Sequence, residues 1–404
     1  MHLLLIAIAL FSQDAKTHTD NGDKKYDKKD YDGAIADYSK AIEQDPKYSK
    51  AWDHRGKAKS KKGDLDGAIA DFTKAIEIKP KYPAAYSHRG DAKADKGDPD
   101  GAIEDCTKAI ELDPKYDSAY VNRGNAKRDK GDYDGAIEDC TKAIQIDAKM
   151  PEAYNGRGAA KRKKGDFDGA IEDCTKAIQL DPAYAKAYNN RGASKTAKGD
   201  LAGAIADCSK AIELDAKYAA AWDNRGVVKQ LKGDLDGGIA DCTKAIAIDP
   251  KCADAYKDRG LMRYDKRSWS DAAADFKKFC EVSPTGQDEV RLRLWLTRVR
   301  LGERDAATKD LAKYLEGRKK KDAEDWDLTI ASYLIGTVAE ADLLAAAVGK
   351  DQRMCEATFY AGSKRLLDGD KTGAADLFKK CIETKLKACA EYVTAAAELE
   401  ALKK

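Results

Sequence analysis

The chain has 404 residues, room for two or three ordinary domains or one long repeat array. Its 73 Lys and Arg against 71 Asp and Glu leave a formal charge of +2, which argues against a dedicated nucleic-acid binder, because phosphate recognition needs a basic surplus gathered on one face. Hydrophobic residues at 43% are too many for a disordered chain, no apolar run approaches the ~20 residues of a membrane-spanning helix, and ten cysteines are too sparse for a disulfide scaffold.

The chain opens on Leu3–Phe11 (LLLIAIALF), an apolar run of signal-peptide length followed by SQDA, with Ala15 as the candidate cleavage point. Residues 1–16 are therefore read as a signal peptide or N-terminal apolar segment; if residues 1–15 are a signal peptide, the protein is periplasmic or secreted. No Lys or Arg precedes the run, so an extra N-terminal capping helix or a misplaced start, with a cytoplasmic protein, is the alternative.

From Thr17 onward the sequence repeats itself. The block AWDHRGKAKSKKGDLDGAIADFTKAIEIKPKY at Ala51 returns at Ala85, Ala119, Ala153, Ala187, Ala221 and Ala255. Its aromatic column (Trp52, Tyr86, Tyr120, Tyr154, Tyr188, Trp222, Tyr256) advances by 34 residues each time. An earlier copy near Thr17 carries His18 in that column and Lys29 where later copies have Gly63, Gly97 and Gly131, which makes eight units over 17–288. Each unit predicts a helix, a tight turn and a second helix. Trp52, Gly56 and Lys59 share one face of the first helix. Gly63 supplies the left-handed residue that ends it. Asp64 is placed to cap the second helix, and Pro99 follows the equivalent Asp98 at a position where its missing N–H is harmless. Ala68, Ile69, Phe72, Ala75 and Ile76 form the buried stripe, and Asp-Pro pairs such as Asp113-Pro114 end the unit. One hairpin cannot bury that stripe alone, so neighbours must stack into a continuous core.

Trp52, Gly56, Ala68, Phe72, Ala75 and Pro80, repeated over about two-thirds of the chain, resemble the tetratricopeptide repeat pattern. The resemblance implies an all-α fold, a right-handed superhelical solenoid of antiparallel helix pairs whose first helices line a concave groove. The chain departs from the family at Arg55 and Lys59, where Leu and Tyr are common. Residues 289–404 then read as a degenerate helical region that caps the array. Within it 289–322 (Trp295, Gly302, Ala307) and 355–388 (Gly362, Gly369, Ala374, Phe378, Cys381) look like decayed copies, separated by an amphipathic helix pair, WDLTIASYLIGTVAEADLLAAA. The order LWLTRVRLG, DWDLTIASYLIG, LLAAA, CEATFYAGSKRLLDGD is similar to the end of bacterial lipoprotein NlpI-like proteins. That resemblance implies a cell-envelope adaptor recruiting proteases or peptidoglycan hydrolases. Lipoproteins of that group carry a Cys after the apolar run; the first cysteine here is Cys106, which argues against lipid attachment.

Cys106, Cys140, Cys174, Cys208 and Cys242 occupy the column held elsewhere by Tyr38, Phe72 and Phe276, so they predict buried free thiols rather than disulfides or metal ligands. His54 and His88 share a column with Asn122, Asn190 and Asn224 and predict a polar helix face. No metalloprotease, nucleophile-elbow, P-loop or dinucleotide motif occurs, and carboxylates recur only with the repeat. The expectation is a non-enzymatic protein with no catalytic residues, metal or cofactor. The runs Lys161–Lys164 and Arg318–Lys321 read as solvated helix ends.

Two charged columns recur beside the core: Arg55, Arg89, Arg123, Arg157, Arg191, Arg225 and Arg259, and Asp37, Asp71, Asp105, Asp139, Asp173, Asp207, Asp241 and Asp275. They predict a ladder in which each Arg holds the Asp eighteen residues earlier, Arg55 with Asp37 and Arg89 with Asp71, through a bidentate fork that fixes register more than it adds stability.

The first-helix face turned from the core reads Asp53, Lys57, Ser60, then Ser87, Asp91, Ala94, then Val121, Asn125, Arg128, and so on to Lys257, Leu261, Tyr264; it is charged and polar early and turns apolar near Val227, Leu261 and Tyr264. Its candidate partner-binding residues are Asp53, Lys57, Ser87, Asp91, Asn125, Arg128, Asn155, Arg162, Asn189, Asp223, Val227, Lys257, Leu261 and Tyr264. The expected occupant is a protein or peptide segment with an apolar anchor at Val227 and Leu261. Lys57 is followed by Asp91, so the Lys, Asn and Arg clamp that some family members close on a C-terminal carboxylate does not assemble. The chain reads as a protein-binding scaffold or adaptor, with a self-associating structural array as the alternative.

Overall fold

Among the residues the computed structural model describes (2–318, 325–386 and 389–403, with side chains from residue 14 onward), the chain is twenty-three helices and no strand. It divides into two compact units, residues 1–194 and 195–404. The first holds α1 (His2–Asp27), α2 (Tyr31–Gln44), α3 (Ser49–Lys61), α4 (Leu65–Ile78), α5 (Pro83–Asp95), α6 (Pro99–Leu112), α7 (Asp117–Asp129), α8 (Tyr133–Ile146), α9 (Pro151–Lys163), α10 (Phe167–Leu180) and most of α11 (Ala185–Ala197). The second begins inside α11. It continues through α12 (Leu201–Leu214), α13 (Ala219–Leu231), α14 (Leu235–Ile248), α15 (Ala253–Asp265), α16 (Trp269–Val282), α17 (Asp288–Arg300) and α18 (Arg304–Gly317). It ends with α19 (Trp326–Ile335), α20 (Glu340–Ala347), α21 (Asp351–Leu367), α22 (Lys371–Glu383) and α23 (Ala390–Leu402).

The hairpins form as the repeat pattern requires. Gly63 sits at φ +85, a conformation that carries no Cβ penalty only for glycine, and Lys29 and Arg267 are held at φ 62 at the same place in their own turns. Asp64 accepts from the Gly67 N–H at 2.9 Å, the expected cap. At Gly56 a Cβ would lie 2.7 Å from the Phe72 ring, so glycine there lets the two helices close on each other. In the first unit α1 to α9 each pack on the next helix in the chain, and α1, α3, α5, α7 and α9 also pack on one another in order. Trp52 joins two hairpins, packing against Ala41, Ile42 and Ala51 on one side and Ala75, Ile76 and Ala85 on the other. Cys106, Cys140, Cys174, Cys208 and Cys242 are buried in the Phe72 column and form no disulfide among the described residues. Burial pushes Cys106, Cys140 and Cys208 up to about 12.

The charged columns do form a ladder, with partners other than those expected. Arg55 pairs with the Asp sixteen residues later, donating from Nε and Nη2 to Asp71 at 2.8 Å each, and Arg89, Arg123 and Arg157 hold Asp105, Asp139 and Asp173 the same way. In the second unit Arg225 and Arg259 hold Asp241 and Asp275. The pairs Arg55–Asp37 and Arg89–Asp71 fail because the arginine adjoins the core glycine and the aspartate adjoins the aromatic or Cys that this glycine admits; both therefore face each other inside one hairpin. Asp37 takes Lys25 instead at 2.8 Å, and the Lys59 column brings a second cation to each buried Asp, as Lys59 does to Asp71 at 2.8 Å. The arginine's third nitrogen reaches back to the preceding hairpin: Arg55 Nη1 donates to Ser39 at 3.1 Å, and Arg89 Nη1 to Thr73 at 3.2 Å. A second, exposed ladder links Lys62 to Asp32, Lys96 to Asp66, Lys130 to Asp100 and Lys164 to Asp134. Lys161 bonds Asp173 at 2.8 Å, so the Lys161–Lys164 run is built into both ladders rather than simply solvated. Arg318 likewise pairs with Asp288 and Asp325 at 2.8 Å, while 319–321 lie outside the described residues.

The C-terminal region keeps the hairpin idea in weaker form. α17–α18 turns at Gly302 (φ +82) and α21–α22 at Gly369 (φ +92), with Asp370 capping the Gly373 N–H at 2.8 Å. The expected helix pair between them is α19 and α20. The last helix, α23, packs on α15, α21 and α22. It carries Glu391 to the fully buried Arg293 (2.7 Å) and Glu398 to Arg300 and Arg267. The Leu3–Phe11 run, expected as a signal peptide, lies outside the residues whose side chains are described; Ala15 is buried against Ala41, Ile42 and Ala51.

Candidate functional site

The predicted face separates into two columns with different roles. The first closes the joints between successive first helices. Asp53 is 1% exposed and accepts from His88 Nδ1 at 2.9 Å and from the Tyr82 hydroxyl at 3.5 Å. Ser87, fully buried, accepts from Asn122 Nδ2 at 3.2 Å, and Asn155 accepts from Asn190 Nδ2 at 2.8 Å. Asn189 and Asp223 are buried as well. Asp53, Ser87 and Asn155 are joint residues, and none of these five buried candidates presents a free surface. The histidines belong to the same joints: His54 Nδ1 lies 2.6 Å from Asp23 Oδ1, and burial lowers its pKa despite that partner. Among the described residues no His, Cys, Asp and Glu cluster could hold a metal.

The second column is open. Lys57 is half-buried with Nζ 5.4 Å from the Tyr26 ring centre. Asp91 is exposed on α5, Asn125 and Arg128 stand on α7, and Arg162 on α9. Arg128 donates to Asn125 Oδ1 at 3.1 Å and to Asp129 at 2.8 Å. Arg162 has no carboxylate partner among the described residues, its Nε is buried without a bond, and burial lowers its pKa, helped by the like charge of Arg128.

Asp91 is open to solvent, yet the protein around it raises its carboxyl pKa, with Asp95 adding to the rise and the charges of Lys61, His88 and Lys186 opposing it. Tyr116, just before α7, is pushed up to about 12 by burial and then by the Asp53 charge two hairpins back. These tyrosines were legible as a column (Tyr48, Tyr82, Tyr116, Tyr184, Tyr218) in the recurring Lys-Tyr or Ala-Tyr before five of the first helices, with Met150 and Cys252 in the same place elsewhere, and were not among the candidates.

In the second unit the expected apolar anchor is already used. Leu261 and Tyr264 are buried in one core with Phe276, Trp295, Leu296 and Ala395. Tyr264 stacks edge-on with Trp269 at 4.8 Å and accepts from Arg300 Nε at 3.2 Å. Thr394 of α23 bonds Asp265 at 3.0 Å, so the chain's own last helix covers this part of α15. Val227 stays half-buried, and Lys257 lies 3.8 Å from Asp254.

Sequence models of the tetratricopeptide repeat match residues 83–116, 106–138, 151–184, 185–218 and 219–252, and a TPR repeat model matches 22–63, 56–97 and 124–163. No curated protein matches the chain. Among solved structures, a tetratricopeptide repeat protein from Parabacteroides merdae shares 19% identity at TM-score 0.51, over 62% of this chain and 99% of that one. The Cut9-Hcn1 hetero-tetramer of APC/C shares 18% at TM-score 0.55, over 65% of this chain and 52% of its own. At that identity the likeness concerns the fold. Stacked hairpins, the left-handed turn glycine, the glycine beneath the aromatic column and matches running from residue 22 to residue 252 lead to one conclusion: the chain belongs to the tetratricopeptide repeat family.

Proposed function

We propose that the open column of the first unit grips an extended segment of a partner protein and does no chemistry on it. The recurrence of this open column on successive first helices α3, α5, α7 and α9 carries this reading, since a repeat array offers one side chain after another to a segment laid across it. Lys57, Asp91, Asn125, Arg128 and Arg162 are its contact residues. Asp91 takes a basic side chain of the segment, and Arg162, with no carboxylate of its own, takes an acidic one. Partners captured by the full chain are to be compared with those captured by Asp91→Lys and Arg162→Glu. Each reversal is expected to reduce specific capture at least about fivefold with helix content unchanged, an effect near 1 kcal/mol. Capture that survives both reversals overturns the reading, and light scattering that shows concentration-dependent growth favours a self-associating array instead. An exported adaptor is the narrower form of the proposal; the mature N-terminus by mass spectrometry decides it, because removal of residues 1–15 is required.

A further inference from the structure

The arginine ladder ends at a definite place. α17 follows α15 by 35 residues instead of 34. In that register Leu294 stands for the ladder arginine, Trp295 for the core glycine, Asp310 for the aspartate and Arg298 for the second cation. The last assignment is visible in space: Arg298 holds Asp310 at 2.6 Å as Arg263 holds Asp275 at 2.7 Å. On α16 the hydroxyl that the arginine would have met is Lys277, one period after Thr243. With the bidentate arginine gone, Asp310 is 64% exposed where Asp275 is 4%.

A cavity of about 740 Å³ lies at this joint, lined by Lys277, Cys280, Arg291, Leu294, Lys313 and Tyr314 with Asp310 at its edge. Its carboxylates are committed, Asp310 to Arg298 and Glu281 to Lys278 at 2.9 Å. Of its cations, Arg298 is held by Glu303 and Asp310 and Arg318 by Asp288 and Asp325, but three others are not held by carboxylates. Arg291 lies flat on the Tyr314 ring at 4.1 Å and spends only Nε, on Gln287 at 2.9 Å. Lys277 and Lys313 have no ion pair among the described residues. The uncommitted charge is positive, and it borders an aliphatic and aromatic floor. The volume lies within the ~300–1,000 Å³ of ordinary small-ligand sites.

We propose that this cavity binds a small organic anion, its acidic head held by Lys277, Arg291 and Lys313 and its apolar or aromatic body laid against Leu294, Cys280 and Tyr314. The site is in the second unit and independent of the peptide-binding face. Anilinonaphthalene sulfonate is the probe, titrated by fluorescence into the full chain, with phenylnaphthylamine, the same rings without the sulfonate, as control. One saturable sulfonate site is expected, with the neutral control bound at least about tenfold more weakly. Lys277→Gln/Lys313→Gln should raise the Kd about tenfold, two partly exposed charge contacts being lost. Leu294→Arg, which returns the ladder arginine opposite Asp310 and fills the space, should abolish binding without lowering the melting temperature. Displacement by dodecanoate or by dodecyl phosphate tells a carboxylate ligand from a phosphate one. Binding unchanged in both variants, equal binding of the neutral control, or displacement by neither amphiphile overturns the proposal.

Discussion

The repeats of the first unit and the helices from α17 onward use arginine in opposite ways. In the repeats Arg55, Arg89, Arg123 and Arg157 are part-exposed, bound to an aspartate sixteen residues away, and each bond is copied in the next hairpin. Beyond α16, Arg293 is fully buried and its partner Glu391 is 98 residues distant; Arg300 finds Glu398 at the same separation. Repetition supplies its own partners locally, so no single joint is decisive. Where repetition ends, the chain must bring its terminus back, and the closing contacts carry charge into the core.

The sharpest test of that contrast is Arg293→Met. Glu391 is left buried and uncompensated, a loss of about 3–5 kcal/mol in urea unfolding, and Arg293→Met/Glu391→Leu should recover most of it. Arg89→Met is expected to cost about 1–3 kcal/mol, because Asp105 keeps Lys93 at 2.8 Å and the ladder continues on either side. Equal losses for the two would erase the distinction. A pH series probes the joints. The first unit sets Asp53 against His88, whereas Asp258 of the second feels Asp223; burial, then that like charge, raises Asp258 to about 8, and burial raises Asp223 to about 6. The folded second unit thus holds protons that the unfolded chain releases near pH ~4, so its stability should fall as pH rises from ~4 to ~8, and Asp258→Asn should flatten that slope. A smaller gain, about 1 kcal/mol in a melting experiment, is expected from Lys29→Gly, which relieves a left-handed residue at φ 62.

Most of the hairpin was legible because its causes are local: the turn glycine, the capping aspartate and the small residue under the aromatic all act within one period. The arginine's partner was not. An aspartate eighteen residues before and one sixteen after are equally near in sequence, and only the face shared with the core glycine chooses between them. Asp53, Ser87, Asn155 and Asn189 were placed on the correct side of the first helix, yet a difference of one turn separates a joint from an open surface. Leu261 read as a partner's anchor because its face of the first helix is turned from the repeat's own core; it is buried instead with Phe276, Trp295 and Leu296, and the last helix comes over this part of α15 with Thr394, 129 residues after Asp265. The one-residue change of register before α17 is silent in composition and shows only once Arg298 is found beside Asp310.

The reach of Arg55 to Ser39 and of Arg89 to Thr73 has a mechanical consequence. Inside a hairpin the guanidinium makes two charge-assisted bonds, whereas across each joint it makes one bond to a neutral hydroxyl. Under tension or heat the arginine's single bond across a joint should part before its paired bonds inside a hairpin, so each unit should yield as a string of intact hairpins peeling from its ends.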